Sequence, residues 1–338
     1  MSYRVALNFE DGATRIIDCK DGEKVLDAAY RNKINIPMDC SDGVCGTCKC
    51  RCEEGEYELG DEYIEDALTE GEAAEGLVLT CQMLISSDCV ISVPAPSSAC
   101  KIKAQEYEAE LKTVDLASDS TIVLTLDLAR KGELDFLPGQ YVNLNVSGTT
   151  EARAYSFSSR PRSDSVSFLI RNVPDGLMSR WLIDEAKPGV KMRFVGPNGS
   201  FFLRNVERPV ILLAGGTGLA PMLSMLEVLA RRECNHPVHL IYGVNHDGDL
   251  AELERIKMLA ANISSFTWDC VVADENSNNP LKGYVTHHLD DARLNGGDCD
   301  IYLCGPPPMV EAVRVFLKKK NVEPRHFYYE KFVASEAV

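Results

Sequence analysis

Cations are the scarce charge in this sequence. Its 338 residues carry 35 lysines and arginines against 51 aspartates and glutamates, a formal net charge of −16. That balance argues against nucleic-acid phosphates or anionic membrane surfaces as partners. Long apolar runs are also missing: none approaches the roughly 18 residues of a membrane span. The segment from Met1 to Glu10 lacks the basic start and apolar stretch of a signal peptide, so a soluble, cytoplasmic protein is expected. The sequence shows no internal repeats and no low-complexity tract. Hydrophobic residues at 45% and charged residues at 25% are ordinary for a globular chain. At about 150 residues per domain the length suggests two to three domains.

The scarcity is uneven. Residues 1–100 hold 20 acids and 8 cations, and the stretch between Cys52 and Cys100 has no lysine or arginine. Glu53 to Glu75 alone contains eleven carboxylates, which most simply form a solvated face. Cysteine is skewed the same way, with nine of 13 in the first 100 residues. In a reducing compartment these should not be disulfides, which leaves metal, catalysis or packing.

Local pattern divides the chain in three. Tyr3, Val5, Leu7 and Phe9 alternate up to an Asp11-Gly12 turn and Ile16-Ile17, as in a hairpin. Val25 to Lys33 reads as a helix, Val90 to Val93 as a closing strand, and Pro94-Ala95-Pro96-Ser97-Ser98 as a linker. The boundaries follow as 1–96, 97–206 with 97–103 as linker, and 207–338. The second segment carries short strands at Ile122–Leu126, Tyr141–Val146, Ser165–Ile170 and Lys191–Val195, the spacing of a β-barrel. The third alternates strands (Val210–Ala214, Val238–Tyr242, Ile301–Cys304) with helices, the rhythm of a parallel sheet.

Cys40, Cys45 and Cys48, followed after 32 intervening residues by Cys81, have the plant-type [2Fe-2S] spacing. Gly43 and Gly46 allow the tight loop that such a cluster needs. Structural zinc is the competing reading, but no second Cys-x2-Cys knuckle is present. Cys19, Cys50, Cys52, Cys89 and Cys100 fall outside the spacing and read as packing residues. The string Cys-Ser-Asp-Gly-Val-Cys-Gly-Thr-Cys at 40–48 resembles the cluster loop of plant-type ferredoxins, which implies a β-grasp domain.

Arg153-Ala154-Tyr155-Ser156 lies between two strands. A guanidinium fork suits phosphate oxygens and an aromatic face suits a flat ring. The tetrapeptide resembles the Arg-x-Tyr-Ser motif of the ferredoxin-NADP reductase superfamily. That resemblance implies that Arg153 meets a flavin pyrophosphate, Tyr155 packs by the isoalloxazine and Ser156 bonds its N5 edge. Gly176 and Ser179 open a helix whose N-terminus suits the same pyrophosphate. FAD is expected, with FMN left open because the adenine pocket is unreadable. A surface arginine, a core tyrosine and a capping serine are the plain alternatives.

In the third segment, Gly215-Gly216-Thr217-Gly218 joins a strand to a helix with Pro221 near its start, so amides and helix dipole converge on a dinucleotide pyrophosphate. Cys304-Gly305-Pro306 follows a strand of the same sheet. Together they resemble the nicotinamide domain of the same superfamily, in which the cysteine, here Cys304, sits beside the nicotinamide; an ordinary buried cysteine is the alternative. Tyr242 is followed by Asp247, Asp249 and Glu252, with no cation before Arg255, which favours NADH over a 2′-phosphate. By the same resemblance, Phe332 lies near the flavin ring.

The fold expected is multidomain, α+β and α/β: a β-grasp ferredoxin domain, a flavin-binding antiparallel β-barrel and a parallel-sheet nicotinamide-binding domain. The whole chain resembles the reductase components of bacterial aromatic-ring oxygenases. In that family NADH gives a hydride to FAD, electrons reach the cluster singly, and the cluster reduces a terminal oxygenase, here expected to be Rieske-type. Cys304 and Ser156 are the catalytic candidates. Reductases of di-iron phenol or methane monooxygenases, an iron-sulfur reductase of deoxysugar biosynthesis, and a redox sensor without turnover share parts of this layout. The acids of 53–75, between the third and fourth candidate ligands, are also placed to steer an electron-transfer partner.

Overall fold

The computed structural model describes residues 2–60, 62–101, 104–132, 134–232 and 234–332. The chain forms two compact units, residues 1–105 with 198–200, and 106–197 with 201–338.

The first unit opens with the hairpin β1 (Ser2–Phe9) and β2 (Thr14–Lys20), followed by α1 (Val25–Arg31), β3 (Lys49–Glu54), β4 (Tyr57–Leu59), α2 (Glu70–Ala74), β5 (Leu77–Leu79), β6 (Met83–Ile85) and β7 (Cys89–Val93). The five-stranded sheet runs β2-β1-β7-β3-β5, and β4 pairs with β6. Period-two alternation turns Val5, Leu7 and Phe9 inward, where they meet Val25, Leu26, Ala28 and Ala29 of α1. Fully burying such side chains contributes about 1.5–3 kcal/mol each. The helix stops at Asn32, after which Lys33 takes a φ of +62°. Residues 32–48, which carry three of the four candidate ligands, form a loop between α1 and β3.

The proline-rich stretch is not a free linker. Ala95 is buried and its carbonyl accepts from Glu10 N at 3.1 Å. Ser97 donates twice to the Asp11 carboxylate, from N at 3.0 Å and Oγ at 2.7 Å. Cys100 is buried, and its carbonyl accepts from Asn35 N at 2.8 Å. Small residues beside the prolines pack onto the end of β1, and Asp11 supplies the acceptor that holds them. Of the expected linker 97–103, residues 102 and 103 lie outside the described residues.

The second unit begins with β8 (Gln105–Ser118), β9 (Thr121–Leu128), β10 (Tyr141–Asn145), β11 (Ala152–Ser156), β12 (Ser165–Arg171), α3 (Leu177–Asp184) and β13 (Lys191–Asn198). Six strands run β11-β10-β13-β8-β9-β12, and a bridge from Phe157 to Phe168 ties the last to the first. The barrel is therefore closed around Leu124, Leu126, Val142, Leu144, Phe168 and Phe194. Then come β14 (Val210–Gly215), α4 (Leu219–Leu229), β15 (Val238–Val244), α5 (Leu253–Asn262), β16 (Phe266–Val272), α6 (Asp291–Leu294), β17 (Asp300–Gly305), α7 (Pro307–Lys320) and β18 (His326–Lys331). Their parallel sheet runs β16-β15-β14-β17-β18. Its strands are apolar because both faces are covered, by α4 and α5 on one side and α6 and α7 on the other. Strand order reverses between β14 and β17, the place where open sheets bind ligands at their carboxyl ends. No described helix is long and apolar enough to cross a membrane.

Candidate functional site

In the first unit the four cysteines stand as two pairs. Cys40 and Cys45 interact thiol to thiol, as do Cys48 and Cys81. These bonds hold Cys40 down to about 6 and lower Cys48, while Cys45 and Cys81 are raised. Cys81 also feels the charges of both Cys40 and Cys45, so the pairs share one neighbourhood. Two amides point at sulfur, Cys45 N to Cys40 Sγ and Thr47 N to Cys45 Sγ, each at 3.4 Å, a contact that favours thiolate. Among the described residues no three His, Cys, Asp or Glu side chains close to metal-holding distance. Two pairs of cysteines are the donor set that a cluster of two irons would need. Gly43 and Gly46 have φ of +87° and +70°, and a Cβ at Gly43 would lie 2.6 Å from that of Tyr63. The backbone of the acidic run thus packs directly on the cysteine loop. Of the cysteines outside the spacing, Cys19, Cys50, Cys89 and Cys100 are buried and Cys52 is half-buried.

In the second unit Arg153 and Tyr155 share one face of β11, as residues two apart must. Arg153 Nη1 donates to Glu151 Oε2 at 3.0 Å and Ala152 O at 2.8 Å, which fixes the guanidinium beside the strand. Tyr155 is half-buried on the barrel core, and burial pushes its hydroxyl up. Gly176 caps α3. The Ser179 hydroxyl is already engaged, accepting from Val173 N at 3.0 Å and donating to Arg171 O at 3.1 Å. What the start of α3 offers an anion is therefore its backbone amides.

Ser156 leads to a residue that the sequence reading missed. Its buried hydroxyl donates to Glu330 Oε2 at 3.3 Å. Burial pushes the Glu330 carboxyl up to about 8, against the lowering effect of Ser156. Glu330 stands opposite Cys304 in the β17–β18 pairing. Cys304 is fully buried, and burial followed by the Glu330 charge raises its thiol. A hydroxyl, a carboxyl whose hold on its proton is strengthened by burial and a buried thiol therefore lie at the carboxyl edge of the sheet. The only signal was the string Tyr329-Glu330-Lys331-Phe332, from which Phe332 alone was singled out. Phe332 N donates to Gly305 O at 2.9 Å, which sets it one strand from Cys304.

The two glycine motifs pack on each other. A Cβ at Gly218 would lie 2.2 Å from Cys304 O, and one at Gly215 2.5 Å from Met309 Sδ. Gly216 has a φ of +54°, and with Thr217 it completes the turn into α4. Gly305 ends β17 and Pro306 caps α7. Beyond β15, Asp247 accepts from Ser277 Oγ at 2.6 Å and Asp249 from His246 N at 3.0 Å. Arg255 is committed to Glu227 at 2.5 Å, Glu252 at 3.1 Å and Ser158 O at 2.6 Å. Arg255, the first guanidinium after β15, is thus paired with two carboxylates and a carbonyl.

Three family models match the chain. A 2Fe-2S iron-sulfur cluster binding domain matches residues 8–86, an oxidoreductase FAD-binding domain 108–203 and an oxidoreductase NAD-binding domain 212–315. The chain is 54% identical over 335 residues to the toluate 1,2-dioxygenase electron transfer component of Pseudomonas putida, covering 99% of this chain and 100% of that one. It is 49% identical to the 2-halobenzoate 1,2-dioxygenase electron transfer component of Burkholderia cepacia, covering 98% of each. The crystal structure of the cytochrome P450 reductase GcoB from Amycolatopsis is similar, with a TM-score of 0.72 at 30% identity over 98% of this chain and 100% of that one.

Proposed function

The chain belongs to the family of electron transfer components of aromatic-ring 1,2-dioxygenases, and from that premise we propose that its acceptor is a Rieske-type oxygenase for benzoate or a close relative, as in a benzoate 1,2-dioxygenase reductase. Electrons pass from NADH to FAD, to the [2Fe-2S] cluster, to the oxygenase. When bound, the flavin and cluster supply the conversion of a two-electron hydride into single electrons, and the protein supplies binding, orientation and electrostatics.

Each of the three segments has one part of that work. Cys40 and Cys45 hold one iron, Cys48 and Cys81 the other. Arg153 pairs with the flavin pyrophosphate, together with the amides that follow Gly176. Tyr155 packs against the ring and Ser156 donates at its reactive edge. The Gly215–Gly218 turn binds the dinucleotide pyrophosphate, while buried Cys304 keeps water from the nicotinamide end. Glu330 holds a proton one hydrogen bond from Ser156. The capture of Arg255 by Glu227 and Glu252 favours NADH. With its thiols reduced, the protein works in the cytoplasm.

The observation that carries this reading is the 54% identity to the toluate 1,2-dioxygenase electron transfer component over 99% of this chain. The test is steady-state reduction of cytochrome c and of the benzoate oxygenase by the purified protein. NADH should exceed NADPH in kcat/KM by roughly tenfold or more, which is 1.4 kcal/mol of discrimination. Flavin reduction without transfer to any oxygenase would leave the partner assignment wrong.

A further inference from the structure

From residue 34 to residue 100 the chain holds only two cations, Lys49 and Arg51. Both lie on β3, immediately after Cys48, and both reach α2. Lys49 Nζ meets Glu72 Oε1 at 2.7 Å, with the Glu72 side chain 0% and the Lys49 side chain 13% exposed. The other Glu72 oxygen accepts from Thr69 N at 2.8 Å, closing a capping box at the start of α2. Arg51 Nη1 donates to the carbonyl of Glu75, which caps the other end. A helix of five residues has little stability of its own, and this one lies among carboxylates that repel one another. It nevertheless sets where the fourth ligand arrives, because it leads through β5 to Cys81. Strand β5 pairs with β3, Lys49 opposite Leu79 and Arg51 opposite Leu77.

A buried ion pair contributes little net stability, and its best-attested use is to fix register. We propose that Lys49 and Glu72 form an electrostatic clamp, seconded by Arg51, that positions Cys81 against Cys48 and sets the charge beside the cluster. The clamp rests on the reading of Cys40, Cys45, Cys48 and Cys81 as ligands. Removing Lys49 leaves a buried carboxylate that opposes arrival of an electron at the cluster. Removing Glu72 leaves a cation that favours it. A purely structural role predicts no such opposition of sign.

The experiment uses the full-length holoprotein and its Lys49→Met, Glu72→Gln and Lys49→Arg variants. Flavin content and NADH-driven ferricyanide reduction report that the second unit is folded. Each of the first two variants should lose iron to a chelator about tenfold faster than the parent, since breaking a buried pair strands its partner. Lys49→Met should lower the cluster midpoint potential and Glu72→Gln raise it, and Lys49→Arg should return iron retention toward the parent. If Lys49→Met does not fold, Glu72→Gln should still raise the midpoint potential and hasten iron loss while Lys49→Arg does neither, and the absence of that contrast overturns the clamp. A parent chain without two irons overturns the ligand reading and the clamp with it. Two irons in the parent, with unchanged iron loss in the variants or shifts of the same sign, overturns the clamp alone.

Discussion

Replacing Glu330 by glutamine isolates the proton that its surroundings hold. In the folded chain the carboxyl is lifted from an ordinary 4.5 to about 8, burial outweighing the hydrogen bond from Ser156. At about 1.36 kcal/mol for each pH unit, that gap favours the neutral form by roughly 5 kcal/mol, and by about half of that once partial exposure is screened. The sign follows from linkage. The folded state binds the proton more tightly, so this contribution is complete below about 4.5 and is lost as pH rises toward about 8. Glutamine mimics the neutral acid and cannot titrate. Urea unfolding of the flavin-loaded protein, followed by flavin fluorescence, should show the Gln variant gaining on the parent by roughly 1.5 to 3 kcal/mol between about pH 5.5 and about pH 8.5. The limb near pH 8 in the rate of flavin reduction by NADH should vanish in the same variant. An equal offset between the two proteins at both pH values would refute a buried, protonated Glu330.

Arg153→Ala should cost roughly 1.5 to 3 kcal/mol of flavin affinity, the range for a charge-assisted hydrogen bond, and a fully flavinated variant after dilution would remove Arg153 from the pyrophosphate. Cys304→Ser should slow stopped-flow flavin reduction while leaving flavin and iron contents unchanged; parent-like rates would make Cys304 a packing residue. Raising salt from about 0.05 to about 0.5 M should slow electron delivery to the oxygenase more than flavin reduction, because screening weakens a steered encounter. Equal salt dependence of the two steps would return the acids of 53–75 to the role of a solvated face.

Short-range pattern was legible in the sequence and long-range pairing was not. The apolar runs at Val210 and Ile301 became β14 and β17 nearly to the residue, because a strand buried on both faces has no polar position to obscure it. The 14-residue β8 was missed: its outward positions carry Glu106, Glu108, Glu110 and Lys112, which mask the inward Ala109 and Leu111. Pro94 to Ser98 misled because composition reports the absence of a helix or strand, not the absence of packing against Glu10 and Asp11. Local spacing was enough to put Cys40, Cys45 and Cys48 in one loop. Glu330 was invisible because its partner Ser156 is 174 positions away, and nothing in the string Tyr-Tyr-Glu-Lys announces a carboxyl that keeps its proton. Lys49 and Glu72 were hidden in the same way, one as a lone cation and the other as one acid of many.

The central claim, that one chain carries electrons from NADH through flavin to a cluster on Cys40, Cys45, Cys48 and Cys81, is tested most directly by Cys45→Ser in parallel with the parent. Anaerobic NADH should give the parent a [2Fe-2S] electron paramagnetic resonance signal, with two irons and one flavin per chain. The variant should lose the iron, the signal and the reduction of the oxygenase while keeping NADH-driven ferricyanide reduction at the flavin. Zinc in place of iron in the parent, or oxygenase reduction that survives in the variant, would contradict the account.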